Sequence, residues 1–176
     1  VRASMCNRGR RLNLLPSDIE LDEKLVRAAP GDAGMIGDIT ADAFRQDPFN
    51  LWLFRKFAGI EHLFRLQARR IYVPRGFCYA RGYEGACMWM LPGGDGNFGL
   101  RDYAAFVLPT LLHCGLGAVS RALRTGKAME DRHPTFEHAY LFSIGVRPSA
   151  RGKGLGRKLI QPVLDACDRQ GLPAYL

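Results

Sequence analysis

Cysteine is sparse in this chain, and what there is does not pair. The five cysteines, Cys6, Cys78, Cys87, Cys114 and Cys167, are odd in number and scattered, with no C-x-x-C among them. That pattern argues against a disulfide framework and a zinc site, and a reducing cytoplasm is the expected setting. No His, Cys or carboxylate cluster has metal-ligand spacing, so no metal is expected. Long apolar runs are missing as well. None approaches the roughly 18–20 residues that a membrane helix needs, and no membrane partner is expected. The opening VRASMCNRGRRLNLL lacks both the clean apolar stretch and the small-residue cleavage site of a secretory signal. Internal repeats and low-complexity blocks are absent, and no window supplies the G-x-x-x-x-G-K-[ST] of a phosphate-binding P-loop.

What remains is the composition of an ordinary globule, with 47% hydrophobic and 24% charged residues over 176 positions. A chain of this length buries roughly 70% of the surface its unfolded form exposes, so it folds without a staple. The net charge is +8, and Arg2, Arg8, Arg10 and Arg11 lie in the N-terminal segment. Residues 1–22 therefore read as a basic, disordered tail and 23–176 as one domain. The charge admits two readings, a merely solvated tail or an anionic partner such as a phosphorylated cofactor. No recognisable nucleic-acid-binding motif accompanies it, so nucleic acid is not expected as a partner.

Along the chain, Lys24–Ala28 reads as a short strand ended by the Pro30–Gly31 turn. A helix follows from Asp32, with Met35, Ile36, Ile39, Ala43 and Phe44 at helical spacing and with Gly34 and Gly37 weakening it. GFCYARG and GACMWML form a hairpin pattern around Gly82–Gly85, and Leu100 to about Asp131 is helical with a break near Gly115–Gly117. HAYLFSIGV, residues 138–146, is a nearly continuous apolar run suited to a central strand. Its Gly145 marks either a bulge or a close approach to the backbone. Leu155, Leu159, Val163, Ala166 and Cys167 then form a helix stripe that contains Pro162 and stops at Gly171.

Between that strand and that helix lies RPSARGKGLGRKLI, with three glycines and five cations in fourteen positions. The core of this stretch, Arg151-Gly152-Lys153-Gly154-Leu155-Gly156, reads R-x-x-G-x-G. Glycines give the backbone access to positive φ and let a ligand approach with no Cβ in the way. Successive N–H groups in such a turn form an anion-binding concavity, to which a helix N-terminus adds unpaired donors. The pattern describes a diphosphate cradle, with Arg147, Arg151, Lys153, Arg157 and Lys158 as an outer field. A flexible basic loop without a ligand is the competing reading.

LFSIGVRPSARGKGLGRKLI resembles motif A of the GNAT superfamily of acyl-CoA N-acyltransferases. GACMWMLPGG, the RHP before the strand, Pro162, GLPAYL and AFRQDPFNLWLF are similar to its puromycin N-acetyltransferase-like branch, so the likeness runs from about Lys24 to Leu176. The resemblance implies a GNAT fold, α/β (α+β) in class. Its central mixed, mostly antiparallel sheet is flanked by helices, with the C-terminal part incomplete at Leu176. It implies acetyl-CoA as co-substrate, with backbone groups of Ile144, Gly145 and Val146 pairing with the pantetheine arm. Amides of Arg151, Gly152, Lys153, Gly154, Leu155 and Gly156 would hold the diphosphate, and Gly145 would mark the bulge that splays the strand.

The activity so implied is direct transfer of an acetyl group to the amine of a small molecule in a ternary complex. The amide of Val146 would serve as oxyanion donor, and the family's general-acid tyrosine would lie beyond Leu176. Glu137 and His138 precede the strand and are the base candidates, against the plainer reading of solvated residues at a strand entrance. His133 reads as a loop residue, His62 and His113 as surface or packing positions. Trp52, Trp89 and Tyr103 are either pocket-lining or core. A module that binds coenzyme A without turnover is the alternative function. Acceptor identity and oligomeric state have no signature in the sequence.

Overall fold

A computed structural model of the chain describes residues 14–176; Cys6 and the four N-terminal arginines lie outside the described residues. Five strands form one sheet in the order β1-β2-β3-β4-β5. They are β1 (Val26–Arg27), β2 (Phe77–Arg81), β3 (Gly85–Met90), β4 (Ala139–Val146) and β5 (Ala174–Tyr175). The first three pairings are antiparallel, and β4 and β5 run parallel through Ala139↔Ala174 and Tyr140↔Tyr175. The sheet is mixed and mostly antiparallel, as expected.

Strand alternation gives the sheet two faces, each with its own core. Ala86, Met88 and Met90 of β3 pack with Ile36, Phe54 and Phe64 beneath α1 (Ala33–Ala43), α2 (Pro48–Phe54) and α3 (Phe57–Gln67). Cys87, Trp89 and Leu91 point the other way, against Leu155, Leu159 and Val163 of α7 (Leu155–Gln170). Every member of the predicted α7 stripe is buried, and the helix runs on through Pro162. Each large apolar side chain so buried contributes roughly 1.5–3 kcal/mol. The Tyr79 hydroxyl ties the two layers by donating to the Leu159 carbonyl.

The α3 helix continues through a π turn, Ala68–Tyr72, into one further turn, α4 (Val73–Arg75). The predicted helical stretch after residue 100 is two helices, α5 (Leu100–Cys114) and α6 (Leu116–Glu130), separated at Gly115, whose φ is +81°. DPFNLWLF forms α2, which starts where the Asp47 carboxylate accepts the Asn50 amide at 2.8 Å.

Two expectations change. Residues 14–22 belong to the packed domain, and residues 1–13 of the expected tail lie outside the described ones. Leu14 and Ile19 are buried in the α7-side core, and the Asp18 carboxylate accepts from the Leu15 amide at 2.8 Å and from Gln170 at 3.0 Å. Apolar side chains within reach of a helix flank gain more from burial than a tail gains from disorder. Gly37, in turn, is more than a weak point in its helix. A Cβ there would stand 2.6 Å from the Arg65 Cα, so the glycine sets how closely α1 approaches α3.

Candidate active site

The R-x-x-G-x-G turn follows β4 directly. Arg147 opens a single 3-10 turn, Pro148–Ala150, in which the Ala150 amide donates to the Arg147 carbonyl at 2.9 Å. Gly152 and Gly154 then adopt φ of +78° and +70°, a region costly for residues with a Cβ. Gly154 is the N-cap of α7 and offers no side-chain cap. Among the described residues, the amides from Gly152 to Arg157 find no acceptor outside their own helix. A run of unpaired donors therefore crosses the turn onto the positive end of a sixteen-residue helix.

Gly156 is the informative position. Its backbone is not in the positive-φ region, and a Cβ there would meet nothing within 4 Å. Folding alone gives no reason for glycine at this place, whereas a ligand seated on the amides does. The residues present thus fit a diphosphate.

The five cations divide. Arg151 turns inward, its Nε donating to the Val146 carbonyl at 3.2 Å and its terminal nitrogen to the Ala43 carbonyl at 2.7 Å. It pins the turn to β4 and to the end of α1 and is not part of an outer field. Arg147 lies 3.7 Å from the Asp42 carboxylate. Lys153, Arg157 and Lys158 are exposed and form no ion pair among the described residues.

Ile144, Gly145 and Val146 pair with Cys87, Ala86 and Gly85 of β3 on one edge of β4. On the other edge β5 reaches only Ala139 and Tyr140, so 141–146 has no strand neighbour there among the described residues. Gly145 does not mark the bulge. A Cβ on it would lie 3.0 Å from the Thr40 Cα, so it admits α1 close to the sheet. The bulge falls at Phe142, because Met88 pairs with Ser143 while Trp89 pairs with Leu141. That extra residue sets Phe142 and Ser143 side by side on one face.

Both open into a cleft of about 920 Å³ between β4, α2, α3, α5, α6 and the 91–98 segment. The cleft adjoins the predicted cofactor residues along β4, at the Ser143–Ile144 peptide. Eight of the ten phenylalanines line it, Phe44, Phe49, Phe54, Phe64, Phe98, Phe106, Phe136 and Phe142, while its charged walls are Asp95, Glu130, Glu137 and Lys127. In a chain of net charge +8 this is an acidic, aromatic enclosure, suited to an apolar cation. Ser143 is 6% exposed, and its hydroxyl is buried without a partner. Replacing it with alanine removes an unsatisfied group, so Ser143→Ala is expected to leave thermal stability unchanged or raised. A lowered melting temperature would contradict this assignment.

Glu137 and His138 both line the cleft, and so does His133, expected as a plain loop residue. The Nε2 atoms of His133 and His138 are 3.2 Å apart, and His138 Nδ1 is 2.7 Å from the Phe136 carbonyl. Burial, with His138 second, holds the His133 ring below the ordinary imidazole range. Tyr140 stacks on Tyr175 beside the pair, its phenol pushed up by burial. Of the three aromatics singled out in the sequence, only Tyr103 lines the cleft. Trp89 is fully buried against α7, and Trp52 stands outside. His62 is a packing residue, with Nε2 3.0 Å from the Ala105 carbonyl, and burial lowers its titration range.

No thiol lines the cleft. Burial raises all four described cysteines, Cys87 to about 12 and Cys167 to about 11. Among the described residues no group of three or more His, Cys, Asp or Glu is placed to hold a metal, and no helix is long and apolar enough to cross a membrane.

The bulge and the histidine pair escaped the sequence reading for a shared reason. A bulge is a relation between two strands, and the histidines meet only because the chain turns at Pro134. The sole available signal was the recurrence of histidine around RHPTFEH.

Comparison with known proteins places these features in a family context. Residues 120–176 match the family model described as "Acetyltransferase (GNAT) family", a segment that contains β4, the glycine turn and α7. An uncharacterized N-acetyltransferase of Schizosaccharomyces pombe is 51% identical over 37 residues, which are 21% of this chain. The match spans only 15% of that protein. A solved structure from Corynebacterium glutamicum, described as histone acetyltransferase HPA2 and related acetyltransferase, superposes with a TM-score of 0.58. It is 24% identical, and the match covers 82% of this chain and 71% of that one, so it speaks for the fold. Residues 120–176 are thus similar to the GNAT acetyltransferases, and the chain shares its fold with the solved structure.

Proposed function

We propose that this chain moves an acetyl group from acetyl-CoA to the amine of a small molecule by direct attack in a ternary complex. The observation that carries the reading is the run of unpaired amides from Gly152 to Gly156 beside a glycine that folding does not require. Those amides would hold the diphosphate, with Lys153, Arg157 and Lys158 as its field. Along the open edge of β4, backbone groups of Ile144–Val146 would pair with the pantetheine arm and bring the thioester to the cleft. Acetyl-CoA supplies the activated acyl carbon; everything else falls to the chain's own residues.

The cleft holds the amine and excludes water, and confinement of both reactants contributes several kcal/mol. An alkylammonium of pKa about 10.4 must lose a proton before it attacks, and Glu137, His133 and His138 are titratable groups of the wall that can take or relay it. The Val146 amide is the oxyanion donor in this scheme. An acyl-cysteine route has little support, since the described thiols are protonated and lie off the cleft. The finer likeness to the puromycin N-acetyltransferase-like branch rests on AFRQDPFNLWLF and GACMWMLPGG, which build α2 and β3 at the cleft. A cytoplasmic setting fits the free cysteines.

The test is thiol release from acetyl-CoA with a panel of primary amines, with the acetylated product identified by mass. Amine-dependent release is expected. Coenzyme A binding without release on any amine would favour a binding module instead.

A further inference from the structure

We infer that His133 and His138 act as one proton-accepting dyad for the amine in the cleft, with His133 taking the proton and His138 positioning it. This rests on the acetyl-transfer reading above, but its geometry stands apart from the glycine turn. At 2.7 Å from the Phe136 carbonyl, His138 Nδ1 must carry hydrogen, because two lone pairs do not face each other at that distance. In the neutral ring its Nε2 is then an acceptor. The His133 Nε2, 3.2 Å away, is therefore the donor, which leaves the lone pair of the dyad on His133 Nδ1. One backbone carbonyl thereby sets both tautomers.

A first proton fits on His133 Nδ1, and the resulting cation is steadied through its Nε2–H by His138. A second would place hydrogens on both facing Nε2 atoms, so the pair has to open to accept it. The surroundings suit transient protonation. The rings of Tyr140 and Tyr175 pack edge-on against His133, at 4.8 and 5.6 Å between centroids. Glu137 adjoins His138. The end of α6 brings Glu130, whose carbonyl accepts the His133 amide at 3.1 Å, together with Arg132 and the bonded Lys127–Asp131 pair. The carbonyl end of α6 favours the imidazolium, while burial and the neighbouring His138 oppose it. In its unprotonated form the pair keeps the His133 Nδ1 lone pair available to the amine.

The proton balance closes. The ammonium gives one proton to His133 Nδ1, and the freed nitrogen forms the N–C bond to the thioester carbon. The tetrahedral adduct breaks the C–S bond, its remaining excess N–H proton passes to the coenzyme A thiolate, and the dyad releases its proton to solvent.

Nitrogen-15 NMR of the histidine rings in the free protein tests the pairing without any turnover. His138 is expected as the Nδ1–H tautomer, with one proton taken up jointly on acidification and the second only once the two rings separate. His138→Ala should move the His133 midpoint. Independent single titrations of both rings, each indifferent to substitution of the other, would overturn the dyad. In turnover, His133→Ala, His138→Ala and the double variant should each lose about 100-fold in kcat with little change in KM. The variants' kcat should no longer fall on acidification through the dyad's range. Multiplying losses in the double variant, or unchanged kcat in the singles, would equally refute the proposal. Both side chains are at least partly exposed, and unchanged melting temperatures check that folding is not the cause. Coupled titration in a protein that transfers no acetyl group counts against the transfer reading alone.

Discussion

Replacing Gly156 with valine is expected to weaken the proposed binding of acetyl-CoA about 100-fold while leaving the melting temperature where it was. The reasoning is steric and local. The added Cβ meets no protein atom within 4 Å, and the position is the second residue of α7 with no positive φ. Helix propensity favours valine over glycine slightly, so folding loses nothing. A diphosphate seated on the neighbouring amides has no such freedom, because the isopropyl group occupies the space its oxygens need. Charge-assisted hydrogen bonds of this kind are worth about 1.5–3 kcal/mol each. Displacing even one or two costs about 100-fold in affinity, roughly 2.8 kcal/mol. Calorimetric titration with acetyl-CoA and a thermal melt in its absence separate the two effects. Gly154→Ala would be a poorer test, since its φ of +70° adds a strain of roughly 1–2 kcal/mol to any loss of binding.

The largest effect on stability is expected at Gly37. Two physical arguments give opposite signs there. Helix propensity predicts that Gly37→Ala stabilises an exposed helix by about 1 kcal/mol. The packing of α1 on α3 predicts the reverse, because a Cβ would sit 2.6 Å from the Arg65 Cα and 3.0 Å from its backbone nitrogen. The obstructing atoms are backbone of a helix whose Ile60 and Phe64 are buried in the same core, so they cannot swing aside as a flexible side chain would. Overpacking of this kind costs about 1–3 kcal/mol or more, and it wins. Gly37→Val, with two further methyl groups, belongs at the upper end. For a chain of this size each kcal/mol shifts the melting temperature by about 2–4 °C, so a fall of about 5–10 °C is expected. An unchanged or raised midpoint would contradict so close an approach of α1 to α3. The separation of α1 from α3 also bears on the cleft, since Phe44 and Phe64 stack across them at 5.1 Å between ring centroids and both line it.

These two glycines mark what could and could not be read from residues alone. The glycine turn was legible because its chemistry is local. A buried strand, spaced glycines and a helix stripe stand in one continuous stretch, and the positive φ angles fall at Gly152 and Gly154 within it. The hairpin at Gly82–Gly85 and the α7 stripe were legible for the same reason, as periodicities of 2 and 3.6. Gly37 looked like a defect in its own helix because its purpose lies in another helix 28 residues on. Arg151 looked like part of a cationic field because nothing in the sequence says that the Ala43 carbonyl is within its reach. Phe142 and Ser143 share a face only through the register of β4 on β3. Leu14 and Ile19 looked like tail because the flank of α7 that buries them is more than 130 residues away.

The central claim is that the peptide nitrogens of the glycine turn bind the diphosphate of coenzyme A, and proton–nitrogen correlation spectra report on it directly. On titration with coenzyme A, the amides of Gly152, Gly154 and Gly156 should shift strongly downfield, with smaller changes along Ile144–Val146. Pyrophosphate alone should reproduce the first set without the second. Amides in the turn that stay unmoved while coenzyme A binds elsewhere, or does not bind, would contradict the account.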